Sequence, residues 1–351
     1  MKININVMTK NRVDALKEVI AALALLDTSE LEVCTRVFDS SDEKNYIFNK
    51  KNLNDYKNIG HIRLAPDNSM GVNWEYALIN SDGNFIVTIT DRSVVHKDML
   101  KKIAEVLKKS IDIDALSWGW DCENNRTVYQ LPYNSDDLVA LSERDYLNSI
   151  AFYGVGKYPY HLPRGLNTLL KRETAYRIRN TFGNVYSGIN PDYVLAFKLM
   201  LLNCKVRFLP KALFTSKFTS LSNGGISSKE LNWNYLKSIT NSEQIMRTTH
   251  MELPLCTNTI FADMMFIIDQ MKVNGESILK IKRKIAYSST TAIDMELKRF
   301  YGKKIINKGE YINQLMLNSR NRARYQATPD TLRIFLYRWV VKALPAFIFQ
   351  E

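Results

Sequence analysis

Apolar and polar positions in the first hundred residues switch repeatedly between a period of two and a helical period. Residues 3–8 (Ile-Asn-Ile-Asn-Val-Met) read as a strand, and the polar loop Thr9-Lys10-Asn11-Arg12 follows. Val13, Leu16, Val19, Ile20, Leu23 and Leu26 then recur at helical spacing. Residues 31–38 form a second expected strand ending in Asp39-Ser40-Ser41-Asp42, and residues 59–64 a third. The stretch 71–79 reads as a short helix with Val72, Tyr76 and Ile79 on one side. Ser81-Asp82-Gly83-Asn84 has turn composition, because Asp-Gly and Gly-Asn tolerate positive φ. Residues 85–89 are a β-branched and aromatic run of buried-strand length, closed by Thr90-Asp91-Arg92-Ser93, with a helix starting near Lys97. Strands alternating with helices predict an α/β fold, a mostly parallel sheet with right-handed crossovers. The first, second and fourth strands end in polar clusters, which such a sheet gathers on one edge, where open α/β sheets hold ligands.

Further along, residues 115–120 and 166–171 are expected strands and 173–179 a helix. The Gly, Pro and Tyr-rich stretch 153–165 is a loop, either a pocket wall with aromatic faces or a plain surface connection. Asn190-Pro191-Asp192 opens a helix over 193–202, and 205–209 is a last strand before the polar loop 215–225. From about residue 229 the alternation stops and helices are expected at 251–272, 277–288 and 291–300. Two regions follow: an α/β domain at 1–228 and a basic helical region at 229–351. The stretch 329–349 is long and apolar, but Arg333, Arg338 and Lys342 interrupt it and Pro345 breaks it. Three cations make a spanning helix costly. Lying in a membrane interface suits it better, with packing on the protein's own core or on a second copy as the alternative.

Composition changes this picture little. A chain of 351 residues, 46% hydrophobic and 24% charged, can bury a substantial core. Residues 1–12 alternate like a strand and the apolar run at 19–26 is too short to span or target, so no signal peptide is expected. Cys34, Cys122, Cys204 and Cys256 are scattered with no Cys-x-x-Cys pair. That argues against zinc and a disulfide framework and fits a reducing, cytoplasmic compartment; Cys34 and Cys204 read as small core residues. The net charge is +12, and residues 271–351, with 16 Lys and Arg against 6 Asp and Glu, carry +10 of it. The basic character therefore belongs to the tail. No P-loop, GxGxxG, HExxH or GxSxG motif occurs.

The order of the strand-end motifs resembles the family 2 glycosyltransferases with the GT-A fold. Met8-Thr9-Lys10-Asn11-Arg12 stands for a Pro-Thr-Tyr-Asn-Arg-like segment and Phe38-Asp39-Ser40-Ser41-Asp42 for an Asp-Asp-Gly-Ser-x-Asp-like one. Asn68-Ser69-Met70-Gly71 with Ala77, Asn80 and Asp82-Gly83 stands for the next stretch, and Pro191-Asp192-Tyr193 for the acidic opening of a helix in the second half. The likeness covers about residues 1–220.

The resemblance implies inverting transfer of a sugar from a nucleotide-diphosphate sugar, a UDP-sugar by preference, to a hydroxyl. Thr9, Asn11, Arg12, Asp39, Asp67, Gly71, Asp91 and Arg92 would line the donor pocket, with Thr9 and Asp39 at the nucleoside and Asp67 and the Gly71 helix at the nucleotide. Asp192 would be the general base, since a charged carboxylate within hydrogen-bond reach suits that task; a plain helix cap is the alternative role for this residue. Family habit and the basic tail together suggest a glycan or lipid-linked acceptor in bacterial surface-polysaccharide biosynthesis, at the inner face of the membrane.

One departure matters. The family's Asp-x-Asp motif bridges a divalent cation to the diphosphate, but here the stretch reads Thr90-Asp91-Arg92-Ser93. Either Asp91 is the first acid and Ser93 replaces the second, or Thr90 and Arg92 replace both. Asp91 can hold Mg²⁺ or Mn²⁺ with oxygens from the diphosphate, or Arg92 can supply the charge in the metal's place. His96 and His161 are weaker ligand candidates, and residues 217–225 could form a lid using Lys217. Two rivals stay open. A sugar nucleotidyltransferase would need an early Gly-rich phosphate loop, which residues 9–12 lack, and a non-catalytic scaffold would explain the altered acidic motif. No nucleic-acid partner is expected; one would show as steeply salt-dependent binding through the tail. A homo-oligomer is left open.

Overall fold

The computed structural model describes residues 1–110, 112–124, 127–129, 134–154, 161–217, 242–249, 252–271 and 276–325. The chain order is β1 (Lys2–Thr9), α1 (Val13–Ala24), β2 (Glu32–Asp39), α2 (Glu43–Leu53), β3 (Ile59–Arg63), α3 (Met70–Ile79), β4 (Phe85–Thr90), β5 (Ser93–Val95) and α4 (Met99–Lys109). Then come β6 (Ala115–Asn124), β7 (Thr127–Tyr129), β8 (Val139–Ala140), α5 (Glu143–Gly154), β9 (Thr168–Lys171), α6 (Arg172–Phe182), α7 (Pro191–Leu201) and β10 (Val206–Lys217). The helices α8 (Ser242–Arg247), α9 (Cys256–Gln270), α10 (Glu276–Gly302) and α11 (Lys308–Tyr325) follow.

The ten strands among the described residues form one sheet in the order β3-β2-β1-β4-β9-β6-β10-β5, with β7 on β6 and β8 on β10. The α/β expectation holds. β1, β2, β3 and β4 run parallel, as do β6 and β10, while β9 enters antiparallel between β4 and β6. The chain leaves β1 towards β2 and β3 and returns to β4 on the other side, so the switch point lies between the carboxyl ends of β1 and β4.

Strand alternation sorts the core. Ile3, Ile5 and Val7 pack against Leu16, Val19, Ile20 and Leu23 of α1 on one face. Met8, Phe38 and Ile86 pack against Trp74, Ala77 and Leu78 of α3 on the other. Each such side chain contributes about 1.5–3 kcal/mol when fully buried. Val72, Tyr76 and Ile79 do share one side of α3, but it is the solvent side. The helix turns its buried face through Gly71, Asn73, Trp74, Ala77 and Leu78 instead. A third core joins α5, α7, α9 and α10. Helix α7 belongs to two cores: Leu195 and Leu199 face the sheet, whereas Val194 and Phe197 face the helices. An element apolar all round is buried all round.

Three expectations about boundaries change. β10 continues past Leu209 to Lys217 by shifting register twice against β6, which accommodates Pro210. The helices expected at 277–288 and 291–300 are one, α10. Helix α11 was not anticipated. No described helix is long and apolar enough to cross a membrane. The expected boundary at residue 228 and the apolar stretch 329–349 lie outside the described residues.

Candidate active site

Four loops meet at the carboxyl edge of the sheet. The first follows β1. Thr9 is paired in register with Asp39, and its Oγ1 donates to Asp91 Oδ2 at 2.7 Å. Asn11 takes a positive φ of 56°, which asparagine tolerates; its N–H donates to Ser41 Oγ, and its Oδ1 accepts from the Asp42 N–H. Arg12 precedes α1 and its Nε lies 3.1 Å from Asp91 Oδ2. The second loop follows β4, where the Asp91 N–H donates to Met8 O, crossing the switch point. Asp91 is closed to solvent. Burial raises its pKa, opposed by the charge of Arg12, the Thr9 hydrogen bond and the charge of Arg92. Arg92 itself is half-buried, and its carbonyl accepts from the Lys217 N–H.

Asp39 stands beside this cluster but faces inward. Its carboxylate is fully buried, with Oδ1 accepting from the Ser41 N–H at 2.9 Å and Oδ2 contacting Asn49 Nδ2 at 2.8 Å and His61 Nε2 at 3.1 Å. Burial alone would push its pKa up, yet the bonds from His61, Ser41 and Asn49 outweigh it and hold the carboxyl below its ordinary value. Asp67 is exposed in the turn after β3, next to Pro66, whose carbonyl accepts from Lys10 Nζ at 2.6 Å. Gly71 is buried in the first turn of α3, and a Cβ there would stand 3.7 Å from Tyr186 O.

Asp192 reaches the same edge by a longer route. It lies in the first turn of α7 behind Pro191, a residue pre-set for that position. Its Oδ2 is 3.0 Å from Arg164 Nε. Arg164 precedes the turn that starts β9, and because β9 is antiparallel to β4 and β6, that start lies at their carboxyl ends. The guanidinium lies over the Trp120 ring of β6 at 5.3 Å and the Tyr193 ring at 4.8 Å. Arg164 also donates to Tyr193 OH at 3.0 Å.

The weaker candidates are engaged elsewhere. His96 bonds Ala212 O and Thr215 Oγ1 and ties β5 to β10. The His161 ring meets Ser149 Oγ at 2.7 Å and Phe208 edge-on, and burial lowers its pKa. Lys217 pairs with Glu18 of α1; residues 218–225 of the expected lid lie outside the described residues, as do residues 155–160 of the Tyr-rich loop.

No protein-family model matches the sequence, and no curated protein matches it. Solved structures do. Residues 1–349 of S. aureus TarS, in complex with UDP-GlcNAc, align over 92% of each chain at 17% identity with a TM-score of 0.51. The mannosyltransferase PcManGT from Pyrobaculum calidifontis, in complex with GDP-Man and Mn²⁺, aligns over 91% of this chain and 84% of its own, at 13% identity and a TM-score of 0.47. The fold is similar to that of the glycosyltransferase TarS.

Within that fold, the residues present at the end of β4 fit a divalent ion poorly. No three His, Cys, Asp or Glu side chains among the described residues are grouped to hold a metal. The one acid of the altered motif, Asp91, is closed to solvent and already faces Arg12. Mg²⁺ and Mn²⁺ take six oxygens in octahedral array, and here the protein offers one carboxylate already paired with a guanidinium, so nearly all the other oxygens would have to come from a diphosphate and water.

Several residues of the edge escaped the sequence reading. Arg164 and Trp120 carry no spacing signal. Lys198 and Asp263 do carry one: each is a lone charge inside an apolar helical run, a pattern that marks a buried and paired group.

Proposed function

We propose that this chain is an inverting, hexosyltransferase-type glycosyltransferase that takes a UDP-sugar as donor and a hydroxyl as acceptor. The supporting observation is the convergence of two charge systems on one sheet edge: cations at the end of β1 and β4, and the Asp192 carboxylate at the start of α7. In this reading Thr9, Asn11, Arg12, Gly71 and Arg92 border the donor pocket, and Asp67 stands at its exposed rim. Asp39 acts indirectly by fixing the Ser41 backbone and, through it, the Asn11 loop.

Asp192 takes the proton from the acceptor hydroxyl. The oxygen bonds to the anomeric carbon as the carbon–oxygen bond to the diphosphate breaks, on the opposite face, so configuration inverts. The electron pair leaves on UDP, and Arg12 and Arg92 stabilise the departing charge in the role a metal often fills. An acceptor held at an anionic membrane surface, glycan or lipid-linked, suits the +10 tail, each basic residue near such a surface contributing about 1 kcal/mol. That acceptor suits assembly of a bacterial surface polysaccharide.

The test is release of UDP from UDP-N-acetylglucosamine, UDP-glucose and UDP-galactose, with and without Mn²⁺, beside a thermal-shift series with UDP. A bound nucleotide raises the melting point by mass action. Turnover of a donor that Asp192→Asn abolishes supports the enzyme. UDP binding with no turnover of any donor supports a scaffold in its place.

A further inference from the structure

The segment between α6 and α7, residues 183–190, has no regular structure, yet it delivers Asp192 to the sheet edge. Its backbone is held by three charged side chains from three different elements. Glu75 of α3 accepts from the N–H groups of Val185 and Tyr186 at 2.9 and 3.0 Å. Lys198 of α7 donates to the carbonyls of Asn184 and Val185 and to the Asn184 and Ser187 side chains, at 2.8–3.2 Å. Asp263 of α9 holds the end nearest Asp192. Its Oδ1 accepts from the Ile189 N–H and its Oδ2 from the Asn190 N–H, both at 2.8 Å, and Oδ2 also accepts from Asn190 Nδ2 at 3.0 Å.

We propose that Asp263, supplied by the helical region, is a positioning residue for the base Asp192: its two carboxylate oxygens fix the two backbone N–H groups that lead directly into Pro191-Asp192. The inference rests on the glycosyltransferase reading above. Asp263 lies behind the loop, closed to solvent, and so acts through the loop backbone. It is 1% exposed, and burying a carboxylate is costly unless its oxygens are fully used. Here the compensation comes from the loop backbone itself. Gly188 makes the close approach possible: its φ is +79°, and a Cβ there would stand 2.4 Å from Asp263 Oδ1. The Asn190 side chain completes the clamp by also donating to Thr259 Oγ1 of α9 at 3.1 Å. This gives the helical region a part in the chemistry, because a shift of about 1 Å in a reacting group can cost on the order of a hundredfold in rate.

The experiment is steady-state UDP release from UDP-N-acetylglucosamine by the full chain, with Asp263→Asn, Asn190→Ala and Asp192→Asn. Asparagine at 263 presents an amide donor to a backbone donor, so one anchor is lost. The expected result is a fall in kcat of about ten- to a hundredfold for Asp263→Asn, with the donor KM and the UDP-induced melting shift within about twofold of wild type. Asn190→Ala, which keeps both backbone bonds, should lose less, in kcat alone. A purely structural role would lower kcat and UDP binding together, and that result overturns the proposal, as does an unchanged kcat in Asp263→Asn. Should Asp263→Asn not fold, Asn190→Ala decides by the same split. Asp192→Asn separates the two levels: if it stays active the base assignment fails, and if it is dead while Asp263→Asn is normal only the positioning role fails.

Discussion

Arg164 and Asp192 form an ion pair at 3.0 Å, and the same guanidinium lies over the rings of Trp120 and Tyr193. The pair therefore ties α7 to the turn that starts β9, above Trp120 of β6. A planar, delocalised cation stacked in this way fixes the direction of the carboxylate it faces, and an ammonium group does not stack equivalently. Arg164→Lys should keep the charge and lose the geometry. The expected outcome is a kcat lower by about tenfold with an unchanged donor KM, read from UDP release. A rise in KM with constant kcat would instead assign Arg164 to donor binding.

Asp192→Asn changes one atom and leaves the Pro191 start of α7 in place. If the carboxylate is the general base, kcat should fall by about 10²- to 10⁴-fold. The melting temperature should move little, because the side chain is partly exposed and the helix retains a polar residue in its first turn. A large loss of stability with little loss of rate would leave Asp192 with a capping role only.

The charges around Asp91 predict how metal removal will behave. With Arg12 at 3.1 Å and the charge of Arg92 also opposing the rise in pKa that burial causes, the end of β4 is balanced without a metal ion. UDP release should survive EDTA, and Arg92→Ala should reduce kcat by at least about tenfold, the loss of one charge-assisted contact in the transition state. Full loss in EDTA, restored by Mn²⁺, together with a silent Arg92→Ala, would reject this account.

The half of the site built from strand ends was legible because a period of two and a polar terminus are local signals. Thr9, Arg12 and Asp91 fall where parallel pairing puts them. Asp39 ends β2, as the periodicity predicts, but its inward orientation depends on Asn49 and His61, which no spacing connects to it. Arg164 was missed for the same reason; the apolar run around Asp263 marks it as buried, but nothing local connects it to the Asp192 loop. The apolar side of α3 misled because Val72, Tyr76 and Ile79 share a face, while the core selects Trp74 and Ala77. The Ser-Ser-Thr-Thr run at 288–291 suggests a helix break. In α10 the hydroxyls of Thr290 and Thr291 bond back to Tyr287 O, and the helix continues.

The charges flanking the 183–190 loop give stability a distinct pH dependence. Burial lifts the Asp263 carboxyl to about 7 from 3.8, against the N–H donors of Ile189 and Asn190 and with the charge of Asp192 adding to the rise. Between about pH 4 and 7 the folded chain then keeps a proton that the unfolded chain has released. Stability falls on this account as pH rises through that window and is level above it. Lys198, pushed down to about 7 from 10.5 by burial, works in the opposite direction: between about pH 7 and 10 the unfolded chain holds the extra proton, so stability rises with pH. Each group's slope is limited to about 1.4 kcal/mol per pH unit. Urea unfolding of wild type at pH 5, 7 and 9 should show the dip near neutrality. Asp263→Asn should flatten the acid side and leave the alkaline side. An unchanged acid slope in that variant would mean that the carboxyl titrates in its ordinary range.

Two glycines at the ends of the same loop provide a matched comparison. Gly183 ends α6 at φ +81° with open space where a Cβ would go, whereas Gly188 at φ +79° has Asp263 Oδ1 2.4 Å and Val194 Cγ2 3.1 Å from that point. Alanine at either position meets the left-handed backbone cost, about 1–2 kcal/mol. Only at 188 must it also displace a buried carboxylate that holds two N–H groups. Gly183→Ala should therefore lose about 1 kcal/mol and keep full kcat. Gly188→Ala should lose about 2–4 kcal/mol and lower kcat as well, because the anchor of the Asp192 loop moves with it. Urea unfolding and UDP release on the same two proteins check both halves. Equal destabilisation with equal rates would show that the loop does not depend on its contact with Asp263.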